Sequence, residues 1–262
     1  WDLLKAVGLL ATKITKWNKA CDRSLHRLMC YIEATSNHTL KGHIGDKPDK
    51  LFLNLYSDAD FAGDRASYKS TTGVIQVLAG PNSWFPLAAK SSRQSCVSFS
   101  TPEAELVAAN TAVRLYGFPA MDLWQKVLPD IKMHFKEDNQ ATIQVIKTGK
   151  NPTMRHMTRT HGVSLAWLHE VFRKQKYLSL DYQETDGQCA DIFTKVVKEV
   201  PKVVMEDRVQ HVPEISKDLE QLVRLLEMFD AQGMVLVRAI RELATCDGIP
   251  DAALNHVSKA CS

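Results

Sequence analysis

The nine residues YSDADFAGD, positions 56–64, set three aspartates, Asp58, Asp60 and Asp64, at the end of an apolar run. At neutral pH these carboxylates repel one another. A chain that gathers them either solvates them in a loop or holds a divalent cation. Further along stand Glu105, Asp138 and Asp191, each near the end of an expected strand or helix. Taken singly, Asp138 reads as a cap for the helix after it and Asp191 as an acid at a helix N-terminus. Glu105 is harder to dismiss. Ala108, Ala109 and Ala112 follow it at three-, four- and seven-residue spacing, a stripe of small residues that lets a helix lie close on a sheet. Glu103 heads Leu106 and Val107 but then Asn110 and Arg114, a wetter face, and reads as a first-turn acid. Gathered carboxylates without a cation raise one another's pKa and destabilise the fold. Mg²⁺ resolves the conflict, because it is a hard ion that prefers oxygen ligands. Two such ions ~3.5–4 Å apart clamp a phosphodiester for in-line attack by water.

The elements that must position these acids follow from periodicity. Residues 1–35 carry apolar residues at mixed three- and four-residue spacing and predict helices. Residues 36–50, with Gly, Pro, Asn and Asp, read as a linker. LFLNLYSDAD (51–60) is apolar on both faces, as a central strand would be. GVIQVLAG (73–80) predicts a second strand that ends at a Gly-Pro-Asn turn. SWFPLAAK (83–90) and SCVSFS (95–100) suggest one or two short strands more, and Pro86 favours an edge or a bulge. Residues 100–118 predict a helix with Thr101 as N-cap and Pro102 at its first position. IKMHFKED (131–138) alternates as a half-exposed strand, and residues 139–149 predict a short helix closed by Gly149. A helix over 161–175, a strand over 177–184 and a helix over 188–199 complete the pattern. From about Ser216 the tail carries Leu219, Leu222, Val223, Leu226 and Phe229 as one apolar stripe. The middle therefore reads β-β-β-α-β-α-α-β-α, an α/β fold with a mixed sheet and helices packed on it.

Composition is that of an ordinary globular chain: 262 residues, 45% hydrophobic and 24% charged. No apolar run reaches the ~18 residues of a membrane span, so no membrane role is expected. The chain opens on Trp1 with no signal-peptide pattern and is expected to be a piece of a longer product. Its six cysteines are scattered without a C-x-x-C pair, which argues against zinc ribbons and a disulfide scaffold and for a reducing compartment. A net charge of +3 does not announce nucleic-acid binding. Residues 1–200 hold 26 Lys and Arg against 20 Asp and Glu, whereas 201–262 hold 7 against 10, so only the first part suits phosphate.

Six motifs in order carry a resemblance: YSDADFAGD, KSTTGV (69–74), SFSTPEAELVAA (98–109), EDNQATIQV (137–145), RTHGV (159–163) and QCADIFTK (188–195). Together they resemble the RNase H domain of copia-type LTR retrotransposon Pol polyproteins, over about residues 17–198. WNKACDRSLHRLMCYIEAT (17–35) is similar to the helical segment that joins reverse transcriptase to that domain. The resemblance implies an RNase H-like fold of five mixed strands, the first one central, with flanking helices. It implies 1–48 as the end of the reverse transcriptase connection, 49–198 as the RNase H-like domain and 199–262 as a helical C-terminal extension without a counterpart. By motif, Asp58, Glu105, Asp138 and Asp191 would be the catalytic tetrad that binds two Mg²⁺ (or Mn²⁺), the same four acids that the residues themselves single out. The reaction implied is metal-dependent endonucleolytic hydrolysis of the RNA strand of an RNA/DNA hybrid during reverse transcription. The partners implied are that hybrid and the rest of the polyprotein. The location implied is intracellular, in a cytoplasmic virus-like particle or the nucleus.

Asp60 and Asp64 are then expected to shape or solvate the loop after Asp58. Lys69, Ser70, Asn139, Gln140, Arg159 and His161 are the candidate nucleic-acid contacts, with a surface helix start as the plain alternative for the last two. Lys132, His134 and Lys136 share a strand face that would meet phosphate or only solvent. His156, His161 and His169 lack the spacing of a zinc helix site. Trp84, Phe85 and Trp124 are expected in the core. The chain departs from the family at Glu137, where the family usually has Cys, and alternation puts that acid on the Ile131, Met133 and Phe135 side. It also lacks a His in QETDGQ (183–188) before the last aspartate. These departures leave room for a second function, a non-catalytic interaction module descended from such a domain. An integrase-like strand transferase fits the motifs less closely.

Overall fold

The computed structural model describes residues 1–35, 37 and 39–195. The expected 199–262 extension and its apolar stripe lie outside the described residues.

Strand β1 (Phe52–Asp64) is the centre of a five-stranded sheet with order β3-β2-β1-β4-β5. Strands β2 (Lys69–Gly80) and β3 (Ser83–Arg93) form an antiparallel meander with it. Strands β4 (Met133–Glu137) and β5 (Leu178–Tyr182) add on its other side in parallel. Parallel neighbours need crossovers, and helices supply them. Five mixed strands with the first one central are what the resemblance implies, and the fold is RNase H-like, a mixed five-stranded sheet with helices packed on it.

Burial on both faces explains the near-continuous apolar runs of β1 and β2, because β1 is flanked on either edge and covered above and below. One face packs under helix α3 (Thr101–Ala112), which continues through a single π-helical stretch, Val113–Gly117, into α4 (Phe118–Val127). Leu53, Leu55, Phe135, Leu106 and Trp124 meet there, all at most 1% exposed. Helices α5 (Gln140–Thr148) and α7 (Leu165–Lys174) complete that layer, with the short α6 (Met157–Thr160) between them. Gly149 closes α5 in the left-handed conformation, φ +67°.

The opposite face is covered by two short pieces from the two ends of the described chain. One is helix α1 (Leu4–Ala11), and the other is a 3-10 helix at Cys189–Phe193. Trp1 and Leu4 join Tyr56, Ile75, Val77, Ala190 and Phe193 in a second apolar cluster. Helix α2 (Lys19–Ala34) packs on α1.

Several expectations change in detail. SCVSFS (95–100) is not a strand; β3 runs as one edge strand to Arg93, and its register shifts beside Pro86. Ser100, not Thr101, is the N-cap of α3, its Oγ accepting from the Glu103 amide, so Pro102 falls at the second helical position. The linker is not free either. Its Asp46 is buried and accepts from the Asn82 amide and the Ser83 hydroxyl at the β2–β3 turn. Phe85 and Trp124 are core residues, while Trp84 is partly buried against the second cluster.

Candidate metal centre

The first expected ligand, Asp58, is five per cent exposed midway along β1, two residues past its last pair with β4. Strand alternation puts Tyr56, Asp58 and Asp60 on one face, toward α1 and the 189–193 helix, and Ala59 on the other, under α3. Across the β1–β2 ladder Asp58 faces Gly73, the glycine of KSTTGV. A Cβ there would lie 2.7 Å from both the Ala190 carbonyl oxygen and the Thr194 methyl. The glycine is therefore what lets the segment carrying Asp191 approach the strand. Gln188 anchors that segment by donating to the Ser57 carbonyl at 3.1 Å. The Thr194 hydroxyl donates to Asp58, and the Lys195 ammonium pairs with Asp191.

Asp138 follows β4 immediately, and the parallel register that pairs Tyr56 with Lys136 carries it alongside Asp58. Carboxylate oxygens of Asp58, Asp138 and Asp191 all lie within 4.8 Å of one another. Glu105 arrives from the α3 side, three per cent exposed, and accepts from the Ala59 backbone amide. It stands outside the compact trio yet feels the charges of Glu137, Asp58 and Asp138.

Burial is the main force on these groups. It pushes the Asp58 carboxyl up to about 6, with the charges of Asp191 and Asp138 adding to it. Glu105 is pushed up to about 11 by burial first and then by its acidic neighbours. Asp138 is raised too, by burial and by Asp191. Without a cation, Glu105 thus holds its proton at neutral pH, while hydrogen bonds from Thr194 to Asp58 and from Thr185 to Asp138, and then the positive charge of Lys195, ease the aspartates. The donor set fits a hard divalent ion on two grounds. All four ligands are carboxylates, and Glu105 Oε2 and Asp191 Oδ1 are buried without a hydrogen-bond partner.

Two acids have roles that the sequence reading did not assign. Glu137 faces the core side, as alternation implies, and is fully buried; its Oε1 accepts from the Asn139 amide and its Oε2 has no partner. Burial holds it well above the usual carboxylate range, with Asp138 and Asp58 adding to the shift. Glu103 is not on a wet face. It is 1% exposed, and one of its oxygens takes His156 Nε2 at 3.1 Å and His161 Nε2 at 2.9 Å. The other accepts from the Phe99 amide. This clamp ties the 156–161 segment to the first turn of α3. Nothing in residue spacing marks it, because the partners lie more than fifty positions apart.

The clamp also corrects one expected nucleic-acid contact, since the His161 side chain is 1% exposed. Ser70 is corrected likewise: it is fully buried, with its hydroxyl accepting from the Ala62 amide. Asn139 is the N-cap of α5, while Gln140 and Arg159 are exposed and Lys69 is half-buried at the start of β2. His134 and Lys136 are engaged by Asp181 of β5, not by solvent alone. Asp64 accepts from Ser67, Ala66 and Arg93 and shapes the loop as expected. Asp60 takes the Thr71 amide and the Lys5 ammonium.

No protein-family model matches the chain. It is 29% identical over 202 residues to the retrovirus-related Pol polyprotein from transposon TNT 1-94 of Nicotiana tabacum, a match covering 75% of this chain and 14% of that protein. It is 40% identical over 84 residues to the Pol polyprotein from transposon RE1 of Arabidopsis thaliana, covering 32% of this chain and 5% of that one. It is 28% identical over 198 residues to the transposon Ty1-NL2 Gag-Pol polyprotein of Saccharomyces cerevisiae, covering 74% and 11%. The chain thus spans a small part of each relative it matches. Among solved structures, LC11-RNase H1, isolated from compost, is similar at a TM-score of 0.39 and 15% identity, covering 55% of this chain and 92% of that one. The sheet order and its flanking helices give an RNase H-like fold, with three carboxylates gathered beside its central strand. By sequence the chain is a relative of one region of the Pol polyproteins of copia-type transposons. Among the described residues no helix is long and apolar enough to cross a membrane.

Proposed function

We propose that the chain is a metal-dependent ribonuclease H that hydrolyses the RNA strand of RNA/DNA hybrids during reverse transcription of a copia-type element. The observation that carries this reading is the meeting of Asp58, Asp138 and Asp191 within 4.8 Å, beside the central strand where β4 ends. Glu105 stands behind them with a buried, unpartnered oxygen. These four would hold Mg²⁺ or Mn²⁺, two ions in the full reading. Bound there, the ions would stabilise the attacking and leaving oxygens of an in-line displacement at phosphorus. The chain's own part is to hold the carboxylates. Thr194 orients Asp58, Gly73 gives Asp191 room, and Lys195 offsets part of the negative charge.

Lys69, Asn139, Gln140 and Arg159 are proposed to meet the hybrid, with RNA told from DNA by its 2′-hydroxyls across a wide minor groove. The rest of the polyprotein is the proposed partner. The division at about residues 48 and 198, and an intracellular setting in a virus-like particle or the nucleus, belong to the same proposal.

A second reading is favoured by Glu137. A fully buried acid where the family usually has Cys adds to an already crowded site and suits a domain kept for binding after catalysis was lost. One assay separates the two: cleavage of a labelled RNA/DNA hybrid with Mg²⁺ or Mn²⁺, with chelator, and with Asp138→Asn. Cutting of the RNA strand alone, dependent on metal and absent in the variant, supports the enzyme. No cutting, together with no rise in melting temperature on adding metal, leaves the binding module.

A further inference from the structure

Lys5 is buried, at 7% exposure, and no step of the proposed reaction uses it. A buried ammonium needs close partners to offset its lost hydration. It has two, Asp60 Oδ2 at 2.7 Å and Thr71 Oγ1 at 2.6 Å. Asp60 and Thr71 are opposite one another in the β1–β2 ladder. They are the last regular pair before the register breaks between Asp60 and Asp64. Lys5 therefore bridges the point where the central hairpin would begin to fray. Asp58 lies two residues inside that point, on the same strand face as Asp60.

The helix that carries Lys5 has a second attachment. α1 also lies against the 189–193 helix, and Trp1 and Leu4 pack against the cluster that holds Ala190 and Phe193, on either side of Asp191 in sequence. One helix thus touches both of the segments that supply Asp58 and Asp191.

We propose that α1 is a strut of the metal centre and that Lys5 is a positioning residue for Asp58. The inference rests on the metal reading of the carboxylates. It places residues that resemble no part of the RNase H motifs, before the expected boundary at 48, inside the machinery that assembles the site. A chain cut at that boundary would keep all four acids and lose the tie that holds β1 and the last aspartate in register.

The test is Mn²⁺ affinity, measured by calorimetry on the full chain well below every melting temperature, with far-UV circular dichroism as the check on folding. Lys5→Met is expected to bind Mn²⁺ roughly tenfold more weakly, the low end of what partners outside a ligand shell contribute. Lys5→Arg, which keeps the charge, is expected to stay near the parent. Met121→Ala removes buried packing of α4, which carries none of the four acids; it is expected to melt at lower temperature with parental Mn²⁺ affinity. Equal affinity in the parent and Lys5→Met overturns the proposal, as does an equal loss in Lys5→Met and Met121→Ala. A parent that binds no Mn²⁺ overturns the metal reading itself and this proposal with it.

Discussion

Replacing Asp58 by Asn should stabilise the metal-free protein while destroying its metal response. Folding raises the Asp58 carboxyl from 3.8 to about 6. Below 3.8 the group is protonated in both states and contributes no penalty. Between 3.8 and about 6 the unfolded chain ionises and the folded chain does not, so stability falls as pH rises. Above that window the full penalty is present, about 3 kcal/mol at roughly 1.4 kcal/mol per pKa unit. Asn has nearly the same shape, and its carbonyl can still accept from Thr194. In chelator at neutral pH the gain should therefore be about 1–3 kcal/mol, or roughly 2–12 °C for a domain of this size. At pH 4 it should shrink to under about 1 kcal/mol, because the folded chain holds the Asp58 proton and the unfolded chain is only about half ionised there. Paired thermal melts of parent and variant at the two pH values, in chelator and in Mn²⁺, measure all of this. A variant less stable than the parent at neutral pH in chelator would refute the electrostatic reasoning. So would a gain of the same size at pH 4.

Other consequences can be checked with the same preparations. Metal should bind more tightly as pH rises through about 6 and should release protons, since Asp58 and Glu105 must give theirs up; calorimetry in buffers of different ionisation enthalpy counts them. Glu137→Gln should not destabilise the metal-free chain in thermal melts at neutral pH, because burial disfavours the charged carboxylate and the amide matches its shape and keeps an acceptor for the Asn139 amide. Glu103→Ala should cost about 2–4 kcal/mol by chemical denaturation, because it orphans the buried His161 side chain and the Phe99 amide together; Glu103→Gln, which keeps an acceptor, should cost less. Phe193→Ala should cost about 3–5 kcal/mol, since the ring is fully buried under the second apolar cluster.

Local chemistry made much of the molecule legible in one dimension. The two-sided apolar run before Asp58 marks a central strand, because only a strand flanked and covered on both faces can bury every side chain. The alanines after Glu105 mark the buried face of α3 at helical period, and alternation alone assigns Glu137 to the core side of β4. What the sequence by itself determined was therefore the order of the main elements, the two-sided burial of the central strand and four acids that make a candidate site. Tertiary structure alone decided who meets whom. Glu103 became a two-histidine clamp, Ser70 and His161 were turned inward, and Lys5 crossed to Asp60. The physical reason is that periodicity reports only the direction a side chain takes from its own backbone. A partner fifty or more residues away is chosen by how the sheet twists and the helices dock, and by the high cost of leaving a buried charge unpaired.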